Sequence, residues 1–440
     1  MNARGRLRAL LAVQVVSRTG NVVTTVAVPF AVLARGGSPT DVGIAAFAAT
    51  VPIVLGGPFG GAIVERVGFV RSSVASDLVR GATLLAVPVL AWTVGLPWWG
   101  LLALVFVGGL FDLPGESARR VLLPGLAAAA HVPLERAVGH FEASVRLSVL
   151  IGAPIGGVLV AVAGPLTALA CTAAAFGAAA LLAALFVRPA ATRSADASTG
   201  TGVVVVAAAT SDGDPSERVH PPSGYWRDIA AGFRFCARDP FFRLVVALVL
   251  VTNLLDAARS TTLLPLYAEQ TLGGAQALGI VTGTFGGAAF IGSVAFGYVA
   301  HRLPRRLIFA VCFVLAGGPS LLVPALGLGL PWMLAASAVS GLAAGSLNPI
   351  LGAVELERIP EHMRARVFGL LGAGSWAGIP LGGLLAGFAA DGIGVAATFG
   401  VVVAVYTVVT LAPLTGGAWR LMERPDPAAV TPTGPPVPAA

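Results

Sequence analysis

Gly61-Ala-Ile-Val-Glu65-Arg66-Val-Gly68-Phe-Val-Arg71 is a short charged turn between two long apolar runs. It returns later as Gly297-Tyr-Val-Ala-His301-Arg302-Leu-Pro304-Arg305-Arg306. Each copy follows the second apolar run of its half of the chain. Two further pairs recur at offsets close to half the chain length. Gly152-Ala-Pro154-Ile-Gly156-Gly157 is answered by Gly378-Ile-Pro380-Leu-Gly382-Gly383, and Arg18-Thr-Gly-Asn21 by Asn253-Leu-Leu-Asp256. Two parallel repeats around a central site are a membrane-transport architecture.

The composition points the same way. Of 440 residues, 56% are hydrophobic and 11% charged, and the mean hydropathy is +0.86. A water-facing globular surface needs about 25% charged residues, so a soluble globular chain is excluded. A span takes about 20 apolar residues. This places spans near Leu7–Ala34, Val42–Val64, Ser73–Val94, Trp98–Leu113, Gly139–Val162 and Pro165–Val187, then near Phe241–Leu264, Gly279–Ala300, Leu307–Leu326, Trp332–Leu351, Val367–Ala389 and Val395–Pro413. The predicted fold is an all-α membrane protein of about twelve transmembrane helices in two six-helix pseudo-symmetric halves. The halves cover 1–187 and 241–418, with a cytoplasmic linker over 188–240 and a disordered tail over 419–440. Within the linker, the stretch Ser194 to Pro222 reads as disordered. Trp226, Ile229, Phe233 and Cys236 then recur at helical spacing, as in a helix lying on the membrane face.

All 28 basic side chains of the Lys+Arg count are arginines, and the net charge is +7. One set of loops holds Arg4, Arg6 and Arg8; Arg66 and Arg71; Arg119, Arg120 and Arg136; Arg302, Arg305 and Arg306; Arg358, Arg364 and Arg366; and Arg420 and Arg424. The opposite set holds Arg35 alone. Both termini are therefore placed in the cytoplasm of a multi-pass inner-membrane protein. The basic surplus marks loops, not a nucleic-acid partner. The first apolar run is interrupted by Gln14, Arg18 and Asn21 and is read as an uncleaved helix. Cys171, Cys236 and Cys312 fit neither a disulfide framework nor a zinc site. The five His form no metal-spaced cluster, and the chain has no phosphate-cradling loop, so no metal or cofactor is predicted.

Ionisable groups inside spans are costly and point to function. With the inner edge near Leu7, Arg18 lies about 16 Å in and Asn21 one turn further; counted from Phe241, Asn253 lies at about 18 Å and Asp256 at about 22 Å. The two pairs are expected to meet at similar depth. Asp256 is the candidate proton carrier, because burial favours its neutral form and a nearby cation its ionised form. The alternative is a fixed pair of Asp256 with Arg259 or Arg18. Asp77 is a candidate partner for Arg66 or Arg71, or for Arg80. Asp112 and Glu116 are placed at the cytoplasmic end of the fourth span, and Glu142 and Arg146 share a face of the fifth. Phe30, Phe47, Phe111, Tyr267, Phe285 and Trp376 are aromatic candidates for a cavity wall.

The charged turn, the twelve spans and the repeat resemble the major facilitator superfamily, over nearly the whole chain. The family signature is Gly-x-x-x-Asp-Arg-x-Gly-Arg-x-Arg/Lys; here Glu65 stands at the Asp position and Phe69 at the first basic position after the glycine. Phe111-Asp-Leu-Pro-Gly-Glu-Ser-Ala-Arg-Arg and Ile359-Pro-Glu-His-Met-Arg-Ala-Arg-Val-Phe-Gly are similar to the bacterial drug-efflux and siderophore-export branch. Two features depart from that branch: Ala153, not Gly, precedes Pro154, and Leu101–Leu110 carries no arginine. The resemblance implies a transporter, not an enzyme, that works by alternating access. It implies a cytoplasmic gate at Gly61, Glu65, Arg66, Gly68, Arg71, Asp77, His301 and Arg302. It implies a helix seam or hinge at Gly152, Pro154, Gly156 and Gly157, with Gly378, Pro380, Gly382 and Gly383. The activity implied is proton-driven export of small amphipathic molecules by a monomer in a lipid bilayer. A siderophore or other secondary-metabolite exporter is the nearest alternative. A membrane-embedded lipid-modifying enzyme would need a converging acid, base or nucleophile set, and none stands out.

Overall fold

The computed structural model describes residues 2–187, 234, 237–299, 305–359, 367, 371–372 and 374–422. The first span is Ala3–Leu33, started by Asn2, whose side chain accepts from the Gly5 amide. The second, Pro39–Val67, starts on a capping box in which Ser38 and Asp41 each satisfy the other's backbone amide. The third is Phe69–Thr93. The fourth is two helices, Trp98–Leu110 and Asp112–Ala129, joined at Phe111. The fifth and sixth are Leu134–Ala163 and Pro165–Phe186. The seventh begins with Pro240–Ala257 and continues through a π turn Ala258–Leu263, one α turn Leu264–Tyr267 and a second π turn Ala268–Leu272. The eighth to tenth are Ala275–Val299, Arg305–Ala325 and Leu330–Arg358; the last two are Ile379–Ile393 and Val395–Thr410.

Among the described residues, eleven of these helical stretches are long and apolar enough to cross a membrane, and the second span adds the apolar helix Pro39–Leu55. The repeat extends to the turns. Single glycines at φ 81 (Gly164) and φ 87 (Gly394) join the fifth to the sixth span and the eleventh to the twelfth, a backbone region open mainly to glycine.

Within each half, helices pack through small residues, as membrane helices do. Gly81 of the third span faces the Ala173 carbonyl of the sixth, and Gly341 and Gly345 of the tenth face backbone of the eighth. Between halves, the fifth span packs on the eighth and the second on the eleventh. The glycine contacts between halves, Gly157 with Gly279 and Gly43 with Gly387, lie about 6–9 Å from the helix ends opposite the termini, at 1.5 Å per residue. At the rim beyond them, Thr40 Oγ1 donates to Asp391 Oδ2 across the halves at 2.7 Å. The molecule is therefore sealed at the end remote from its termini.

Two expected boundaries move. The fourth span does not end near Leu113 but runs to Ala129, because its charges find partners inside the bundle. The tail does not begin at 419. Trp419 and Met422 are buried against Phe241 and Phe309 in a short 3-10 turn, so the C-terminal half continues to Met422. The disordered segment and interfacial helix placed in the linker, and the tail beyond Met422, lie outside the described residues, except Arg234 and 237–239.

Candidate functional site

Three polar stripes at helical spacing meet inside the N-terminal half. They are Gln14, Ser17 and Asn21 with Arg18 on the first span, Ser73, Asp77 and Arg80 on the third, and Asp112, Glu116 and Arg119 on the fourth. Spacings of three and four put each set on one helix face.

The first layer centres on Arg119, which pairs with Asp77 at 3.1 Å; both side chains are 1% exposed. Arg119 also donates to Gln14 Oε1 at 2.7 Å, Ser17 Oγ at 3.2 Å and Ser73 Oγ at 3.3 Å, and Ser17 donates to Asp77 Oδ1 at 2.8 Å. In the second layer, Arg80 Nη1 and Asn21 Nδ2 both donate to Asp112 Oδ1 at 2.8 Å, Arg80 Nη2 donates to Asn21 Oδ1, and the guanidinium lies 4.5 Å over the Phe176 ring. This layer sits about 18–21 Å from the sealed end on all three helices, at 1.5 Å per residue. The third is a chain of ions. Arg18 pairs with Glu116 at 3.1 Å, Glu116 with Arg120 at 3.5 Å, and Arg120 with Glu142 at 3.0 Å. Four carboxylates thus balance four guanidiniums, which is what makes charge tolerable at this depth.

The C-terminal half differs. Asp256 pairs with Arg259 one turn along the same helix at 2.8 Å. Asn253 donates to the Ser375 carbonyl at 2.8 Å. The two matched polar pairs therefore do not meet: Arg18 and Asn21 are held within their own half, and Asn253 and Asp256 within theirs. Leu101–Leu110 carries no arginine, and the mid-span guanidinium against Asp112 is that of Arg80 on the third span.

A cavity of about 260 Å³ lies between the halves, directly inward of the seal. Thr24, Thr25, Val28 and Pro29 line it from the first span, and Val42, Ala45, Ala46, Ala49 and Thr50 from the second. Val105 of the fourth, Arg259, Ser260, Thr261 and Leu264 of the seventh, and Leu278, Val281, Thr282 and Phe285 of the eighth complete it. The first π turn carries Arg259, Ser260 and Thr261; such turns recur at functional sites. Of the aromatic candidates, Phe285 lines the cavity. Tyr267 is buried elsewhere, donating to the Leu328 carbonyl and stacking edge-on with Phe399.

The glycine motifs divide their contacts in the same way in both halves. Gly152 and Gly156 face Val22 and Val23 of the first span; Gly378 and Gly382 face Leu250 and Leu254 of the seventh. Gly157 faces the opposite half, against Ala275 and Gly279, and Gly383 meets Ala46 of the opposite half together with Thr261 and Thr262 of its own. Pro154 lies against Gly283 of the eighth span, and Pro380 is buried at the start of the eleventh. The motif is a three-way junction more than a simple seam.

At the other end, Gly68 turns the chain at φ 92 between the second and third spans. Arg66 and Arg71 are exposed. Asp77 pairs with neither; it is turned inward to Arg119, because a buried carboxylate needs a buried cation. Arg80 is likewise bound to Asp112, not to Asp77, and Glu142 to Arg120, not to Arg146. The side chains at Gly61 and Glu65, and His301 and Arg302 altogether, lie outside the described residues.

Sequence reasoning missed Arg80, Arg119 and Gln14 as network members, and the cavity hydroxyls. The signal was present for the network: reading Asp112, Glu116 and Arg119 as one stripe extends the fourth helix past Leu113.

Comparison with known proteins completes the picture. The model of the Major Facilitator Superfamily matches residues 10–275 and again residues 246–439. The multidrug efflux pump Tap of Mycobacterium tuberculosis is 30% identical over 400 residues, covering 90% of each chain. Its counterpart in Mycolicibacterium fortuitum is 30% identical over 399 residues, covering 90% of this chain and 92% of the relative. A mutant of the nucleoside transporter NupG has the same fold, with a TM-score of 0.72 at 11% identity over 94% of this chain and 99% of that one. Twelve spans in two repeated halves, a cavity between them and a family match over both halves agree: the chain is a multi-pass membrane transporter that belongs to the Major Facilitator Superfamily.

Proposed function

We propose that the chain exports small amphipathic molecules, drugs or hydrophobic metabolites, by alternating access driven by proton influx. The observation that carries this reading is the central cavity, apolar and hydroxyl-lined, between halves that close helix contacts seal at the end remote from the termini. Similarity to the efflux pump Tap over nine-tenths of both chains supports the direction and the substrate breadth. The arginine asymmetry supports an inner-membrane protein with cytoplasmic termini, so the seal is on the outer side and the cavity loads from within. The working unit is a monomer of two bundles, 1–187 and 241–422, tethered by the linker 188–240 and followed by a tail.

Asp256 is the proposed proton carrier. Its side chain is 59% exposed while that of its partner Arg259 is 7% exposed, so proton access does not require breaking into the bundle. Gly61, Glu65, Arg66, Gly68, Arg71, His301 and Arg302 form the proposed inner gate, which closes when the outer seal opens. The test is substrate-dependent proton movement in everted vesicles, with Asp256→Asn beside wild type. Loss of coupling in the variant is expected. Unchanged coupling removes Asp256 from the mechanism, and efflux that survives collapse of the proton gradient removes proton antiport.

A further inference from the structure

We propose that Arg259 is the substrate-recognising charge of the cavity, and that the cavity selects amphiphiles bearing an anionic or strong acceptor group over permanent lipophilic cations. This rests on the cavity being the transport site. Arg259 is the one ionisable residue among the described lining residues. Its Nε and Nη2 both donate to Asp256 Oδ1, at 3.1 and 2.8 Å, and no described residue accepts from Nη1. Asp256 does not line the cavity, so a ligand there meets the cationic end of the pair. The guanidinium carbon lies over the Phe285 ring, 5.3 Å from its centroid, within reach of a cation–π contact.

The hydroxyls around it sharpen the selection. Thr24, Thr25, Thr50, Ser260 and Thr261 each donate to a carbonyl three or four residues back on their own helix, at 2.7–2.9 Å. Their protons are spent, and they show the cavity lone pairs and carbon. The Thr282 hydroxyl, also in the wall, has no such acceptor among the described residues and is a neutral donor. Arg259 is therefore the charged, and stronger, hydrogen-bond donor of the site for a ligand acceptor or anion. A ligand's own O–H or N–H groups can use the hydroxyl oxygens.

Two xanthene dyes of similar size and opposite charge test this: anionic fluorescein and cationic rhodamine 6G. Binding to the purified full chain in nanodiscs is followed by fluorescence polarisation. Wild type is expected to bind fluorescein tighter by about tenfold or more, the scale of one hydrogen bond to a charged group. Arg259→Lys keeps the preference; Arg259→Gln loses it. Because Arg259→Gln leaves Asp256 without its cation, Asp256→Asn/Arg259→Gln serves as the neutral-pair variant and is expected to lose it equally. A wild-type preference for rhodamine 6G, no binding of either dye, or a ratio unmoved in both Gln variants overturns the proposal. Dye export from cells separates the two readings. Binding as expected without export of either dye counts against the export function alone, and export with rhodamine 6G preferred counts against the charge selection alone.

Discussion

Gly279→Ala tests the outer seal most directly. A Cβ at position 279 would lie 3.0 Å from the Gly157 Cα and 3.1 Å from the Ala153 carbonyl carbon, and closer still to the Ala153 carbonyl oxygen. All three atoms are backbone of the opposing fifth span, so no side chain can swing aside. Ordinary contact between such atoms needs about 3.5–4.0 Å. The fifth and eighth spans must therefore part by about 1 Å or slightly more, and overpacking of this kind costs about 1–3 kcal/mol. The cost falls on the sealed state, since the outward-open state separates these helices. At about 2 kcal/mol, the ratio of sealed to open molecules falls roughly 30-fold. The assay is labelling of Thr282→Cys, in the cavity wall, by a membrane-impermeant maleimide added outside intact cells, with the native cysteines replaced. Labelling in the Gly279→Ala background is expected to speed up by at least about tenfold. Gly177→Ala is the control, because a Cβ there meets nothing within 4 Å. A labelling rate unchanged or slowed by Gly279→Ala, or raised equally by Gly177→Ala, refutes the assignment of these glycines to the seal.

Three further outcomes are expected. Arg119→Leu strands the fully buried Asp77 carboxylate and lowers stability by about 3–5 kcal/mol, read by thermal unfolding of the purified protein, whereas Asp77→Leu/Arg119→Leu recovers most of the loss; a double variant as unstable as the single contradicts the pairing. Thr40→Val removes the donor of the cross-half hydrogen bond to Asp391 and speeds the same maleimide labelling by no more than about tenfold, since a single exposed hydrogen bond is worth about 0.5–1.5 kcal/mol; a larger effect makes this rim bond, and not the glycine contacts, the main lock. Cysteines placed at Arg35 and Arg136 should label from opposite sides of the membrane, and labelling from one side overturns the topology.

The two halves and the number of spans were legible because they depend on composition and loop charge, which no tertiary contact can mask. The extent of the fourth span was not. Asp112, Glu116, Arg119 and Arg120 look like a solvated helix end, and only their partners Arg80, Arg18, Asp77 and Glu142, up to 98 residues away in sequence, show that they lie against other spans. The same reason explains the misplaced partners of Asp77. Sequence neighbours Arg66, Arg71 and Arg80 were the visible choices, and the tertiary choice was a residue read as loop. The glycine motifs were legible as close-packing surfaces but not as surfaces facing two ways, because the rotation of about 100° that separates Gly156 from Gly157 decides which half each one touches. The cavity hydroxyls carry no signal in sequence, since isolated Thr and Ser are common in membrane helices.

The repeat makes the asymmetry of charge informative. In the N-terminal half, every buried carboxylate named above closes on a guanidinium of the same half, across the first, third, fourth and fifth spans. Ion pairs that join four spans tie those helices together, so this half is suited to move as one body. In the described C-terminal half, Arg305–Glu357 and Arg358–Asp239 sit at helix ends, and the ion pair at mid-span is Asp256–Arg259, held within one helix with Arg259 in the first π turn. Among the described residues this ion pair bridges no two helices, and Arg259 meets the eighth span through the Phe285 ring, so the pair can change partners without breaking an interhelical salt bridge. That freedom is what a group exchanging protons or substrate requires, and it is the reason recognition and coupling are proposed for the C-terminal half, whose mid-span charges do not join its helices.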